Sequence, residues 1–334
     1  MRWSDIEDGA WRGIRAEVDR DELPPRPAWR TEVARGGRAR VVAGDSVRWW
    51  ARQDQRWRSI TLLRGEALTP EAAVVPPVRA SDLRACAHAP GTVAWWRHWS
   101  RWFLRALIAS PRSVMHPGAW WATPLESDEL PWLPVLDGAR PRSAPSVRWS
   151  SSRRALRRVD GPPWREATWD ENWCLHGSEA LLPMRPASPP DRARVKSWRK
   201  RAREGTLPPV LVHFVSALDM HALLDGHDRL VAAREEGVAI PWLRVNALRF
   251  DRFALDPGRQ AGVVAEVQRR SDANQPLPTS RVNELYLQAF DDRPWPRAVC
   301  VGRAVPGGAA RWDAEVRARL DALGLSREGP LLRA

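Results

Sequence analysis

The clearest pattern of apolar and polar positions lies between residues 207 and 245. Leu211 to Val215 reads as an apolar strand, and Leu223-Leu224 as the end of a second. The polar turn Asp225-Gly226-His227-Asp228-Arg229 follows, then the small and apolar residues Leu230-Val231-Ala232-Ala233, and finally a run from Trp242 to Val245. The predicted order is strand, short connection, strand, tight turn, helix, strand. Elsewhere the periodicity is plainer but less telling. Thr92 to Ala109 predicts a helix with Trp95, Trp96, Trp99, Trp102, Phe103, Ala106 and Leu107 on one wide face. Ala80 to Ala87 predicts a short helix capped by Ser81, and Pro257–Arg270 and Ser280–Phe290 predict two more. Trp312 to Leu323 predicts a last amphipathic helix with Val316, Leu320 and Leu323 inward. Short β-like runs stand at Arg38 to Val42, Trp57 to Leu63 and Ala298 to Arg303. Residues 110–147 read as proline-rich loop with brief apolar pieces, and Pro183 to Pro190 as a linker.

This punctuation predicts an α+β protein in three parts: a Trp-rich mixed α/β region over 1–183, a compact unit over 184–250, and a mostly helical extension over 251–334. A chain of 334 residues exceeds one typical domain. No apolar run approaches the length of a membrane span, so no membrane partner is expected. The N-terminus lacks the apolar core of a signal peptide, which makes the cytoplasm the expected location. Three cysteines without paired spacing argue against a disulfide scaffold or a zinc site.

The stretch over residues 185–250 resembles the ParB/sulfiredoxin superfamily. The resemblance rests on Asp225-Gly226-His227-Asp228-Arg229 followed by Ala232-Ala233, on the proline-then-strand entry Leu207-Pro208-Pro209-Val210-Leu211-Val212, and on a predicted helix through Trp198 that precedes it. It implies a ParB/sulfiredoxin-like domain with a helical C-terminal extension. The departures narrow what else it implies. Sulfiredoxins carry a catalytic cysteine in this turn, where His227 stands here, so sulfinic acid reduction is not expected. Of the Gly-Glu-Arg-Arg turn of chromosome-partitioning ParB proteins, only Gly226 and Arg229 match. In ParB-like proteins with Asp-Gly-His-His-Arg, the second histidine is replaced by Asp228.

The turn opens a helix, where free N–H groups and the helix dipole favour an anion. The expected ligand is a nucleoside triphosphate or another phosphate, with slow hydrolysis or phosphoryl transfer conceivable. Gly226 lets backbone approach a phosphate, and Arg229 offers a bidentate fork. Asp225 is expected to cap the helix. His227 is the candidate acid/base, and Asp228 the candidate catalytic carboxylate and magnesium ligand. The competing structural expectation is that Asp225 and Asp228 cap the helix while Arg229 bridges to Glu235 or Glu236. Asp191, Arg194 and Glu204 are weaker candidates, and His213 and His221 read as structural histidines.

Charge and aromatic content add two alternatives. The net charge is +13, carried almost wholly by arginine, since lysine occurs only at 196 and 200. Much of this fits a GC-rich coding bias. Two acid-free clusters stand out: Arg148, Arg153, Arg154, Arg157 and Arg158, then Arg192, Arg194, Lys196, Arg199, Lys200, Arg201 and Arg203. They make a DNA-binding regulatory protein the second reading. The 21 tryptophans against a single tyrosine read mainly as core. A Trp-rich surface would instead suit a non-catalytic protein-interaction role for a degenerate ParB-like domain. Oligomeric state stays open.

Overall fold

A computed structural model describes residues 2–7, 10–24, 28–53, 60–65, 73–125, 165–166, 172–175, 180–185, 188–215, 217–218, 220–251, 255–290, 295–299, 302–324 and 331–332. The predicted basic segment 148–158 and most of the Trp-rich piece 164–173 lie outside these residues. Fifteen strands and seven α-helices are found among them. The strands are β1 (Arg2–Glu7), β2 (Trp11–Val18), β3 (Trp29–Ala34), β4 (Arg38–Ala43), β5 (Ser46–Gln53), β6 (Ile60–Arg64), β7 (Gly118–Leu125), β8 (Arg165–Glu166), β9 (Asn172–Leu175), β10 (Ala180–Pro183), β11 (Val210–Val215), β12 (Met220–Asp225), β13 (Trp242–Asp251), β14 (Trp295–Val299) and β15 (Gly302–Ala304). The helices are α1 (Ala80–Ala85), α2 (Val93–Ala109), α3 (Ala193–Arg203), α4 (His227–Glu235), α5 (Pro257–Asp272), α6 (Thr279–Phe290) and α7 (Gly308–Ala322).

Two mixed sheets form, so the α+β expectation holds. The first runs β1-β2-β7-β13-β11-β12-β10-β8, with β14 continuing on β13. The second runs β15-β3-β4-β5-β6-β9. They share one core. Ile14, Ala16, Trp120, Ala122, Leu243 and Val245 from the first sheet meet Trp29, Ala39, Val41, Trp49, Ala51 and Leu62 from the second. Helix α2 joins that core through Trp95, Trp99, Phe103, Leu104 and Leu107, and Thr92 caps it by accepting the Trp95 N–H at 3.3 Å. The expected flank residues Trp96, Trp102 and Ala106 are only partly buried.

Strand periodicity explains the tryptophan pairs, because successive side chains leave opposite faces of a strand. On β5, Trp49 enters the shared core while Trp50 faces the other way, into a second cluster with Leu63, Val305, Trp312, Val316, Leu320 and Leu331. Helix α7 covers this outer face of the second sheet. Trp312 Nε1 donates to the Ala39 carbonyl at 2.9 Å, Arg38 pairs with Asp313 at 2.8 Å, and Arg40 pairs with Glu32 and Glu315.

The expected segment boundaries do not coincide with breaks in these sheets. β7, from the N-terminal part, pairs with β13 over Trp242 to Ala247. The C-terminal extension returns β14 to the first sheet and β15 to the second. Two local expectations are corrected. α1 is not capped by Ser81: its N-cap is Arg79, whose N–H is accepted by the Asp82 carboxylate at 2.7 Å. Part of the expected proline-rich loop, Gly118 to Leu125, is the interior strand β7.

Candidate functional site

The predicted order around the turn is what forms. β11 and β12 pair as an antiparallel hairpin, β11 lies parallel to β13, and β12 lies parallel to β10. Gly226 ends the hairpin in the left-handed region, φ +103°, and stands as the N-cap of α4. Only glycine suits it, since an added Cβ would come within 2.8 Å of Val210 Cγ2 and 3.2 Å of Val210 Cα. The same measurement shows that the space beside Gly226 is filled by β11.

Arg229 lies one turn into α4 and is 1% exposed. Its Nη2 donates to Asp225 Oδ2 at 2.8 Å and to the Pro209 carbonyl at 2.9 Å. Trp198 of α3 faces the guanidinium, with Cζ 5.5 Å from the ring centroid. The arginine that was expected to fork onto a phosphate is therefore engaged with the carboxylate that was expected to cap the helix. No side-chain cap bond forms at this helix start. The alternative expectation of a bridge from Arg229 to Glu235 or Glu236 is also replaced. Glu236 pairs with Arg199 at 2.5 Å and with Arg203 at 2.8 Å.

His227 is buried at the first position of α4, and its Nε2 accepts the Met184 N–H at 3.2 Å. Burial, aided by the nearby Arg185 charge, pushes its pKa well below the usual imidazole range. It is neutral near pH 7 and serves as an acceptor, not as the expected acid/base. Asp228 is buried too. The Ser188 hydroxyl donates to its Oδ1 at 2.6 Å, Arg185 Nη2 donates to the same oxygen at 2.9 Å, and Arg194 Nε lies 3.3 Å from Oδ2. Burial opposes ionisation, but the Ser188 and Arg185 bonds outweigh it, so the carboxyl pKa lies below its ordinary value. Two guanidinium groups around one carboxylate make poor surroundings for a divalent cation. Among the described residues, no group of three His, Cys, Asp or Glu side chains is placed to hold a metal.

The structure thus brings Asp225, Gly226, His227, Asp228 and Arg229 together, and Arg194 with them. Asp191 and Glu204 lie exposed on the flanks of α3. His213 donates to, or accepts from, no catalytic group; its Nδ1 sits 2.8 Å from the Val245 carbonyl oxygen. His221 is fully buried, and burial holds its pKa well below normal. The partners that sequence reasoning missed are Met184, Arg185 and Ser188. All three belong to the stretch read as a linker. The signal lay in Arg185 and Ser188 themselves, polar residues set among four prolines, which the proline count obscured.

No family model matches the chain, and no curated protein or solved structure matches it either. What stands is a mixed α+β fold with a buried polar cluster at the start of α4. No helix among the described residues is long and apolar enough to cross a membrane.

Proposed function

We propose that this chain is a non-enzymatic binding protein of ParB-like architecture that docks a nucleic-acid phosphate backbone along α3. The order β10, α3, β11, β12, α4, β13 and the glycine-started helix support the ParB-like reading. In this reading the turn is a structural hub. Arg229, His227 and Asp228 tie α4 to the strand entry at Pro209, to the segment 184–188 and to α3.

One observation carries the choice of nucleic acid over a nucleotide pocket: the division of α3 into two faces. Val195, Trp198 and Ala202, spaced three and four apart, are buried. The cations fall on the remaining surface. Arg199 and Arg203 are neutralised by Glu236, and Arg194 leans on Asp228. Arg192, Lys196 and Arg201 have no carboxylate partner among the described residues, and Arg192 and Lys196 are exposed. A row of unpaired cations on a helix fixed in place from behind suits a string of phosphates. With no base-reading element evident, sequence selectivity is not expected.

The test is anisotropy titration of labelled duplex DNA across a salt series. Each neutralised phosphate contributes about −0.9 to the log–log slope, so the three unpaired cations account for about −3. The combined Arg192→Gln, Lys196→Gln and Arg201→Gln variant should lose that part of the slope. Absence of binding at low salt, or an unchanged slope in the variant, would refute the proposal. A parallel thermal-shift screen with nucleoside triphosphates and magnesium separates the other reading. Stabilisation by a nucleotide that disappears on changing the 225–229 turn would restore the nucleotide-binding assignment.

A further inference from the structure

Helices α5 and α6 form a hairpin that none of the three hydrophobic clusters includes. All of α5, sixteen residues, lacks a buried position. The two helices run antiparallel, with the Gln260 side-chain amide donating to the Ala289 carbonyl at 3.2 Å across their joined ends. Half-buried Val263 and Val267 lie on one stripe of α5, with Gln260. A second stripe, Ala261, Val264, Ala265 and Gln268, has the i, i+3, i+4, i+7 spacing of a packing face and is exposed along its whole length. Val264 is 43% exposed, and Leu255 and Phe290, at the joined ends of the hairpin, are 46% and 44% exposed. An amphipathic helix draws most of its stability from packing its apolar face, which here has only α6 to lie against.

Charge indicates what covers it. The chain carries +13, yet residues 255–290 hold four arginines against four acids and no lysine. Arg269 and Arg270 are already paired with Glu266, and Asp272 accepts from Gln268 at 2.8 Å. An anionic surface, whether lipid or nucleic acid, gains nothing from a neutral patch. A second copy of the same +13 chain is repelled everywhere except through such a patch. The geometry points to this hairpin as a homodimer interface, in which two copies pack their α5 stripes about a two-fold axis into a four-helix bundle.

Sedimentation equilibrium on the full chain tests it. The wild type should show a concentration-dependent doubling of mass. Val264→Glu should reduce the association constant at least tenfold, with an unchanged melting profile for the fold. Val93→Glu, at a site 42% exposed on α2, should leave the association intact. Amide exchange gives an independent reading: protection in 257–290 should rise with protein concentration, while that of β11 and β12 should not. A wild type that stays monomeric, a dimer that survives Val264→Glu, or exchange in 257–290 that ignores concentration would each overturn the assignment.

Discussion

If the turn is a hub, removing the acid from the Asp225–Arg229 pair must cost more stability than removing the base. Arg229 is 1% exposed, while the Asp225 side chain is 13% exposed. Asp225→Ala leaves a guanidinium in a dry site with the Pro209 carbonyl as its remaining hydrogen-bond partner. Breaking a buried pair in this way costs about 3–5 kcal/mol, and partial water access at the Asp225 side argues for the lower end. Arg229→Met removes the buried charge itself. The Asp225 carboxylate can then turn to solvent, and the loss is one orphaned carbonyl and some packing against Trp198, about 1–3 kcal/mol. The double variant Asp225→Leu, Arg229→Met should recover part of the loss, because no buried charge remains. Urea unfolding, read as the shift in midpoint at constant slope, measures all three. The opposite order, or costs under about 0.5 kcal/mol for both single variants, as is usual for surface substitutions, would show that Arg229 is not held as a structural element.

Trp312→Ala should cost about 3–5 kcal/mol, since this fully buried ring anchors α7 to the second sheet; amide exchange should quicken in β4 and β5 before it does in α2. Stability should also fall as pH drops from about 6.5 towards 5. His227 is held neutral in the fold, its pKa depressed by burial, whereas the unfolded chain takes up its proton near pH 6.5, so the unfolded state gains protons first. The slope from this residue is about 1.4 kcal/mol per pH unit, and the carboxyls of Asp228, Glu32 and Glu315, held below their ordinary values, do not titrate in that window. His227→Gln, which keeps an acceptor for the Met184 N–H, should flatten the profile by about that amount in pH-dependent urea unfolding; an unchanged profile would mean that His227 protonates freely in the fold.

The elements that the sequence revealed share one property: their pattern is local. Thr92 to Ala109, with its capping threonine and its Trp95, Trp99, Phe103 face, announces α2 unaided. The β11–β12–α4–β13 order follows from two apolar runs and one glycine, and α7 from Trp312, Val316 and Leu320. β7 was missed because Gly118 to Leu125 is interrupted by a proline and stands among other prolines. It becomes a strand through partners more than a hundred residues away on both sides, β2 and β13. Sheet pairing at that separation leaves no periodic trace in either segment.

The candidate site shows the same limit in sharper form. Residue types at a turn state which bonds are possible, and Asp225, His227, Asp228 and Arg229 were read correctly as strong hydrogen-bonding groups at a helix start. Whether such groups face a ligand or one another depends on what packs above them. Here that is Trp198, Pro209, Met184, Arg185 and Ser188, contributed by a helix, a strand entry and a supposed linker. A buried polar group without a partner costs about 1–3 kcal/mol, so a turn this rich in them either keeps a ligand or closes on itself. The short distances from Arg229 to Asp225 and from Asp228 to Ser188 show closure. The cations left facing outward, Arg192, Lys196 and Arg201, lie on the opposite side of the helix that the closed turn supports. The hub and the proposed phosphate surface are thus two faces of one arrangement, and loosening the hub should weaken DNA binding without removing a single contact.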